Sequence, residues 1–144
     1  MYRRSILEPI ELAMVDTPVI VITGARQTGK STLCRQLLEG RKFRGKMVTL
    51  DDPSTLAAAL ADPLGFMQGQ DKHLIIDEIQ RAPELLLSIK KLVDEDRTER
   101  RLIITGSADV MAMPKVADSL AGRTEIHHLW PLAQSEIHQK SSIF

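Results

Sequence analysis

Short β-branched apolar runs alternate along this chain with stretches in which apolar positions recur every three or four residues. Val19-Ile20-Val21-Ile22-Thr23 is the clearest run. Met47-Val48-Thr49-Leu50, His73-Leu74-Ile75-Ile76 and Arg101-Leu102-Ile103-Ile104-Thr105 repeat the type, and Glu125 to Trp130 offers a fifth. Apolar runs of this length, bounded by turn-forming residues, predict strands buried on both faces. Helical spacing predicts a leading helix over Ser5 to Val15, one after residue 31 that stops at Gly40, and one over Ser54 to Ala61. Asp52-Pro53 and Asp62-Pro63 each look like a cap followed by a first helical position, the second opening a short helix through Met67. Pro83 opens an amphipathic helix carrying Leu85, Leu86, Ile89, Leu92 and Val93, and Gly106 to Met113 reads as a polar loop and short helix. Strands alternating with helices predict an α/β fold: a parallel sheet covered on both faces.

Composition narrows this picture. The 144 residues are 43% hydrophobic, enough for one domain with a packed core. Lys+Arg and Asp+Glu both number 19, so bulk charge does not favour nucleic acid, and 3% aromatics leave no stacking platform for single strands. Nucleic-acid binding rests only on the basic turn Arg41 to Lys46, read first as a solvated connector. The single cysteine, Cys34, is read as a core residue and suits a reducing cytoplasm. The N-terminal stretch reads as neither a signal peptide nor a membrane span.

The first run feeds the strongest motif. Gly24-Ala25-Arg26-Gln27-Thr28-Gly29-Lys30-Ser31 fits the pattern G-x-x-x-x-G-K-[ST] at every fixed position, between a strand and a helix. Such a loop turns successive amides inward to form an anion cradle, at which the next helix points its positive end. Gly24, Ala25, Arg26, Gln27, Thr28, Gly29, Lys30, Ser31 and Thr32 are therefore the candidate nucleotide-binding residues. Lys30 is placed to reach the β- and γ-phosphates, and the Ser31 hydroxyl to ligate Mg²⁺.

The third run ends abruptly in Asp77-Glu78. Carboxylates emerging from the C-terminal edge of a buried parallel strand stand where open α/β sheets bind ligands. Asp77 is the candidate partner of Ser31 in holding Mg²⁺ and its waters. Glu78 is the candidate base that orients and deprotonates a water, which favours hydrolysis over transfer to an acceptor. The fourth run ends in Thr105-Gly106-Ser107, and either hydroxyl is a candidate γ-phosphate sensor if this strand lies between the first and third. Arg123 is a candidate for neutralising charge on phosphate oxygens, on its own or a neighbouring subunit's site, with a surface ion pair as the competing reading. Arg81 is a weaker candidate of that kind. Glu78, Lys30, Ser107 and Arg123 form the catalytic set, Ser31 and Asp77 the metal set.

Together these segments resemble the prokaryotic AAA+-type P-loop ATPases, close to the signal-transducing P-loop ATPases. The resembling stretches are Tyr2-Arg3-Arg4, Gly24 to Leu33, Asp77-Glu78-Ile79-Gln80-Arg81-Ala82-Pro83-Glu84-Leu85, Leu102 to Ser107, Ser119-Leu120-Ala121-Gly122-Arg123 and Leu129-Trp130-Pro131-Leu132. The resemblance implies a three-layer P-loop NTPase sandwich whose mainly parallel, five-stranded sheet has the order 5-1-4-3-2. It also implies ATP rather than GTP, Glu78 as the catalytic carboxylate, and a nucleotide-responsive role for Arg123. Members of that family continue into a lid and a further domain, so residues 1–144 read as an ATPase core stopping short of them.

The leading expectation is Mg²⁺-dependent ATP binding with slow hydrolysis to ADP and phosphate, coupled to a change of shape. A non-catalytic nucleotide switch or fragment and a small-molecule phosphotransferase are the alternatives. A second copy of the chain, or another protein, remains open as a partner, and no membrane is implied.

Overall fold

The computed structural model describes residues 10, 13, 15–24, 30–39, 45–96, 99–107, 122 and 124–128, except for the side chains of residues 30–32, 39 and 128. In chain order the elements are β1 (Val19–Thr23), α1 (Lys30–Glu39), β2 (Lys46–Thr49), α2 (Pro53–Ala61), α3 (Pro63–Gln68), β3 (His73–Asp77), a 3₁₀ turn (Ile79–Arg81), α4 (Leu85–Glu95), β4 (Arg101–Gly106) and β5 (Thr124–His128). Ile10 and Ala13 are helical as well. The strands form one sheet in the order β2-β3-β4-β1-β5, and every pairing is parallel. This is the expected order read from the opposite edge.

Alternation along the strands divides the core into two layers. Val19, Val21, Leu74, Ile76, Leu102 and Ile104 point to one face, where they pack with Met67 of α3 and Leu85, Leu86, Ile89, Leu92 and Val93 of α4. Ile20, Ile22, Ile75 and Ile103 point to the other, against Leu33, Cys34 and Leu37 of α1 and against Ile10 and Ala13. Cys34 is wholly buried there, as a core residue should be. Both faces of the three central strands are covered, which explains why their sequences are continuously apolar.

Both Asp-Pro caps form. Asp52 Oδ2 accepts the Thr55 hydroxyl at 2.8 Å and the Thr55 amide at 3.0 Å, which together hold its carboxyl below the ordinary carboxylate range. Asp62 Oδ1 accepts the Gly65 amide at 3.1 Å. Pro83 departs from expectation: it does not open α4, which begins at Leu85. The backbone after Glu78 first winds as a 3₁₀ turn, and Leu85 and Leu86 donate to the carbonyls of Ala82 and Pro83 with the same i to i−3 spacing. β2 lies one residue earlier than its apolar run, leaving Leu50 as a buried turn residue. β5 ends at His128, and residues 129–130 fall outside the description.

Candidate functional site

Strand register assembles the site. Thr49 of β2 lies opposite Asp77 of β3, and Thr105 of β4 lies opposite Ile22 of β1. Pairing of Ile76 with Ile104 brings Asp77 and Thr105 level with each other. In a parallel, in-register sheet the side chains of one row share a face. Asp77 and Thr105 stand two residues from Ile75 and Ile103, so they project on the face covered by α1. The helix that follows the glycine-rich segment thus lies on the same side of the sheet as the first acid.

Asp77 is buried and gripped from both neighbouring strands. Its Oδ1 accepts the Thr105 hydroxyl at 2.6 Å, and its Oδ2 accepts the Thr49 hydroxyl at 3.0 Å. Each threonine oxygen also accepts a backbone amide: Glu78 N–H donates to Thr105 Oγ1 at 3.1 Å, and Asp51 N–H to Thr49 Oγ1 at 3.2 Å. A hydroxyl that accepts from a fixed amide has its own proton free to point at the carboxylate, so both rotors are set. The Asp77 carboxylate is therefore aimed before anything binds.

Glu78 is buried too, and its backbone is left-handed, with φ 62° and ψ 52°. It is the only described residue other than glycine with positive φ. That conformation costs a side-chain-bearing residue on the order of 1–2 kcal/mol. Here it ends β3, turns the Glu78 amide onto Thr105 and starts the 3₁₀ turn. Gln80 then folds back, its Nε2 donating to Glu78 Oε2 at 3.2 Å. Gly106 passes close by: a Cβ there would stand 2.8 Å from Ile79 Cγ2 and 3.1 Å from Gln80 Oε1. Only glycine lets the end of β4 approach this turn. The Gly24 amide donates to the Gly106 carbonyl at 3.3 Å, so the entry to the glycine-rich segment abuts the same edge.

A family model described as an AAA domain matches residues 16–138. The chain belongs to that family. The AAA domain is 34% identical over 135 residues to uncharacterized proteins of Mycobacterium bovis and Mycobacterium tuberculosis, the match covering 94% of this chain and 30% of each relative. It thus spans under a third of the length of those relatives. Its fold is similar to the crystal structure of the P-loop NTPase domain of the sigma-54 transport activator from E. coli. That match has a TM-score of 0.53 and 20% identity, and covers 88% of this chain and 91% of the other.

The AAA domain therefore has the P-loop NTPase fold, and it belongs to a nucleotide-binding family. Gly24 closes β1, and the backbone of Lys30, Ser31 and Thr32 forms the first turn of α1. Ala25, Arg26, Gln27, Thr28, Gly29 and Arg123 lie outside the described residues. Asp77, Glu78 and Thr105 meet at one edge, as β4 lies between β1 and β3. Of the two hydroxyl residues, Thr105 is fully buried and committed to the acids, whereas Ser107 is half-buried just past the strand. Arg81 stands by the same edge, its guanidinium Nε paired with the carboxylate of Asp51, whose amide donates to Thr49 Oγ1.

Two contributors escaped the sequence reading. Thr49 was hidden in a strand and Gln80 in a turn. Thr49 could have been found from its place at the end of the neighbouring strand, level with Asp77. Gln80 stood in the resembling stretch Asp77 to Leu85, but its contact with Glu78 depends on a backbone conformation that nothing in the residue types announces. Among the described residues, no helix is long and apolar enough to cross a membrane.

Proposed function

We propose that this AAA domain binds ATP with Mg²⁺ and hydrolyses it slowly, its shape following the nucleotide state. The observation that carries the reading is the pair of buried carboxylates at the C-terminal edge of a central strand, one of them on the face of the P-loop helix. Membership of the AAA family supports ATP over GTP.

The donor set suits a hard divalent cation. A carboxylate offers about four lone-pair sites, and the two threonine hydroxyls use one on each Asp77 oxygen. The remaining sites are left for a metal's water shell, as Mg²⁺ prefers. Asp77 and Ser31 would hold the ion, which when bound supplies charge neutralisation to the phosphates. Lys30 and the loop amides of Gly24 to Thr32 hold the phosphate chain. Glu78 orients a water for in-line attack and takes its proton, in surroundings that exclude bulk solvent. Thr105 sets the two acids, which leaves Ser107 as the hydroxyl facing the γ-phosphate. Arg123 offsets charge on the phosphate oxygens, from its own site or a neighbour's.

Glu78→Gln tests this directly. The variant keeps the shape of the site and should retain ATP affinity within about threefold, while phosphate release falls by about a hundredfold or more. Undiminished release would remove Glu78 from the chemistry. ATP binding without turnover in the wild-type chain would favour the non-catalytic switch.

A further inference from the structure

Gln80 has no part in the scheme above, yet its carboxamide joins two of the scheme's elements. Its Nε2 donates to Glu78 Oε2 at 3.2 Å, while its Oε1 accepts the Ser107 amide at 3.4 Å. The assignment of oxygen and nitrogen is fixed by these partners. Turned over, the amide would set a carbonyl against a carboxylate and an NH₂ against an N–H. The group is half-buried, and the missing side chain at Gly106 is what gives its oxygen room.

We propose that Gln80 is a positioning residue that holds the Glu78 carboxylate and ties its orientation to the main chain at the end of β4. The role rests on the reading of Glu78 as the water-activating base. A flexible carboxylate beside a phosphate samples many rotamers, few of which face an in-line water, and one donated hydrogen bond narrows that set. Because the same amide accepts from Ser107, a shift of the β4 end toward or away from a bound γ-phosphate alters the grip on Glu78. The connection needs no long-range pathway. It is one side chain between two main-chain segments.

The test uses the full 144-residue chain with Gln80→Met, which keeps length and volume but neither hydrogen bond, and Gln80→Glu, which keeps the acceptor but faces Glu78 with a second carboxylate. Gln80→Met should lower kcat about tenfold with KM within about twofold, and Gln80→Glu should lower it further. Wild-type kcat in Gln80→Met, or a Gln80→Glu variant more active than Gln80→Met, would overturn the proposal. A second readout needs no turnover. In amide NMR spectra, Glu78→Gln should move the Ser107 resonance in the wild-type background and leave it in place in the Gln80→Met background. Equal movement in both, or none in either, would also overturn the link. A chain that binds ATP without hydrolysing it favours the non-catalytic switch over the reading of Glu78 as base, and the Gln80 link is then decided by the resonance shift.

Discussion

Replacing Thr105 with valine isolates the hydrogen bonds that set the two acids. The side chains are nearly the same size, so the change removes a hydroxyl without opening a cavity. Thr105 is fully buried, and its hydroxyl makes two bonds. Losing the donor to Asp77 Oδ1 forfeits a bond to a charged acceptor, worth roughly 1.5–3 kcal/mol, and removing the acceptor of the Glu78 amide costs roughly 1–3 kcal/mol. The added methyl returns about 0.8 kcal/mol. The net is a destabilisation of about 3 kcal/mol, large against the roughly 5–15 kcal/mol by which a domain is stable. Thr105→Ser keeps both bonds and loses one methyl, for about 1 kcal/mol. Urea unfolding followed by circular dichroism should show midpoints falling in the order wild type, Thr105→Ser, Thr105→Val, with unchanged slope. A valine variant as stable as wild type, or more stable than the serine variant, would show that the hydroxyl does not hold Asp77 and Glu78 in place.

Gly106→Ala should destabilise by roughly 1–3 kcal/mol, because its methyl meets Ile79 at 2.8 Å and crowds the Gln80 amide; unfolding midpoints check this, and a neutral result would mean the β4 end has room to spare. Lys72 binds Asp96 at 2.6 Å and Glu99 at 2.8 Å, contacts that lower the Asp96 carboxyl below its usual value and raise the Lys72 ammonium above its own. The native state then holds fewer protons at Asp96 than the unfolded chain does just below pH 3.8, so this contribution is present above that pH and lost as pH falls through the lowered value. On the alkaline side, the Lys72 contribution is present below pH 10.5 and lost as pH rises through its raised value. Lys72→Met should flatten both limbs of the stability profile measured in low salt, and a profile identical to wild type would count against the cluster.

The fold was legible because its signals are local and repeated. β1, β3 and β4 are continuous apolar runs, and Asp52-Pro53 and Asp62-Pro63 mark helix starts by chemistry that acts within one turn. The order of the strands came from the family resemblance rather than from periodicity. At the site, Asp77 and Glu78 stood out as acids ending an apolar run, and Thr105 as a hydroxyl ending the next. The bonds among them were not legible. Thr49 reaches Asp77 across a difference of 28 positions, a relation set by register. The left-handed turn at Glu78 likewise follows from tertiary contacts, since glutamate has no preference for it. The same turn delays α4 past Pro83, and the pairing of Arg81 with Asp51 was no more legible than the other bonds.

The most direct measurement is a calorimetric titration of the chain with ATP and Mg²⁺, repeated on Asp77→Asn. The account predicts saturable binding of one nucleotide per chain, strengthened by Mg²⁺ in the wild type and far less in the variant. No nucleotide uptake, or a Mg²⁺ effect equal in both proteins, would contradict it.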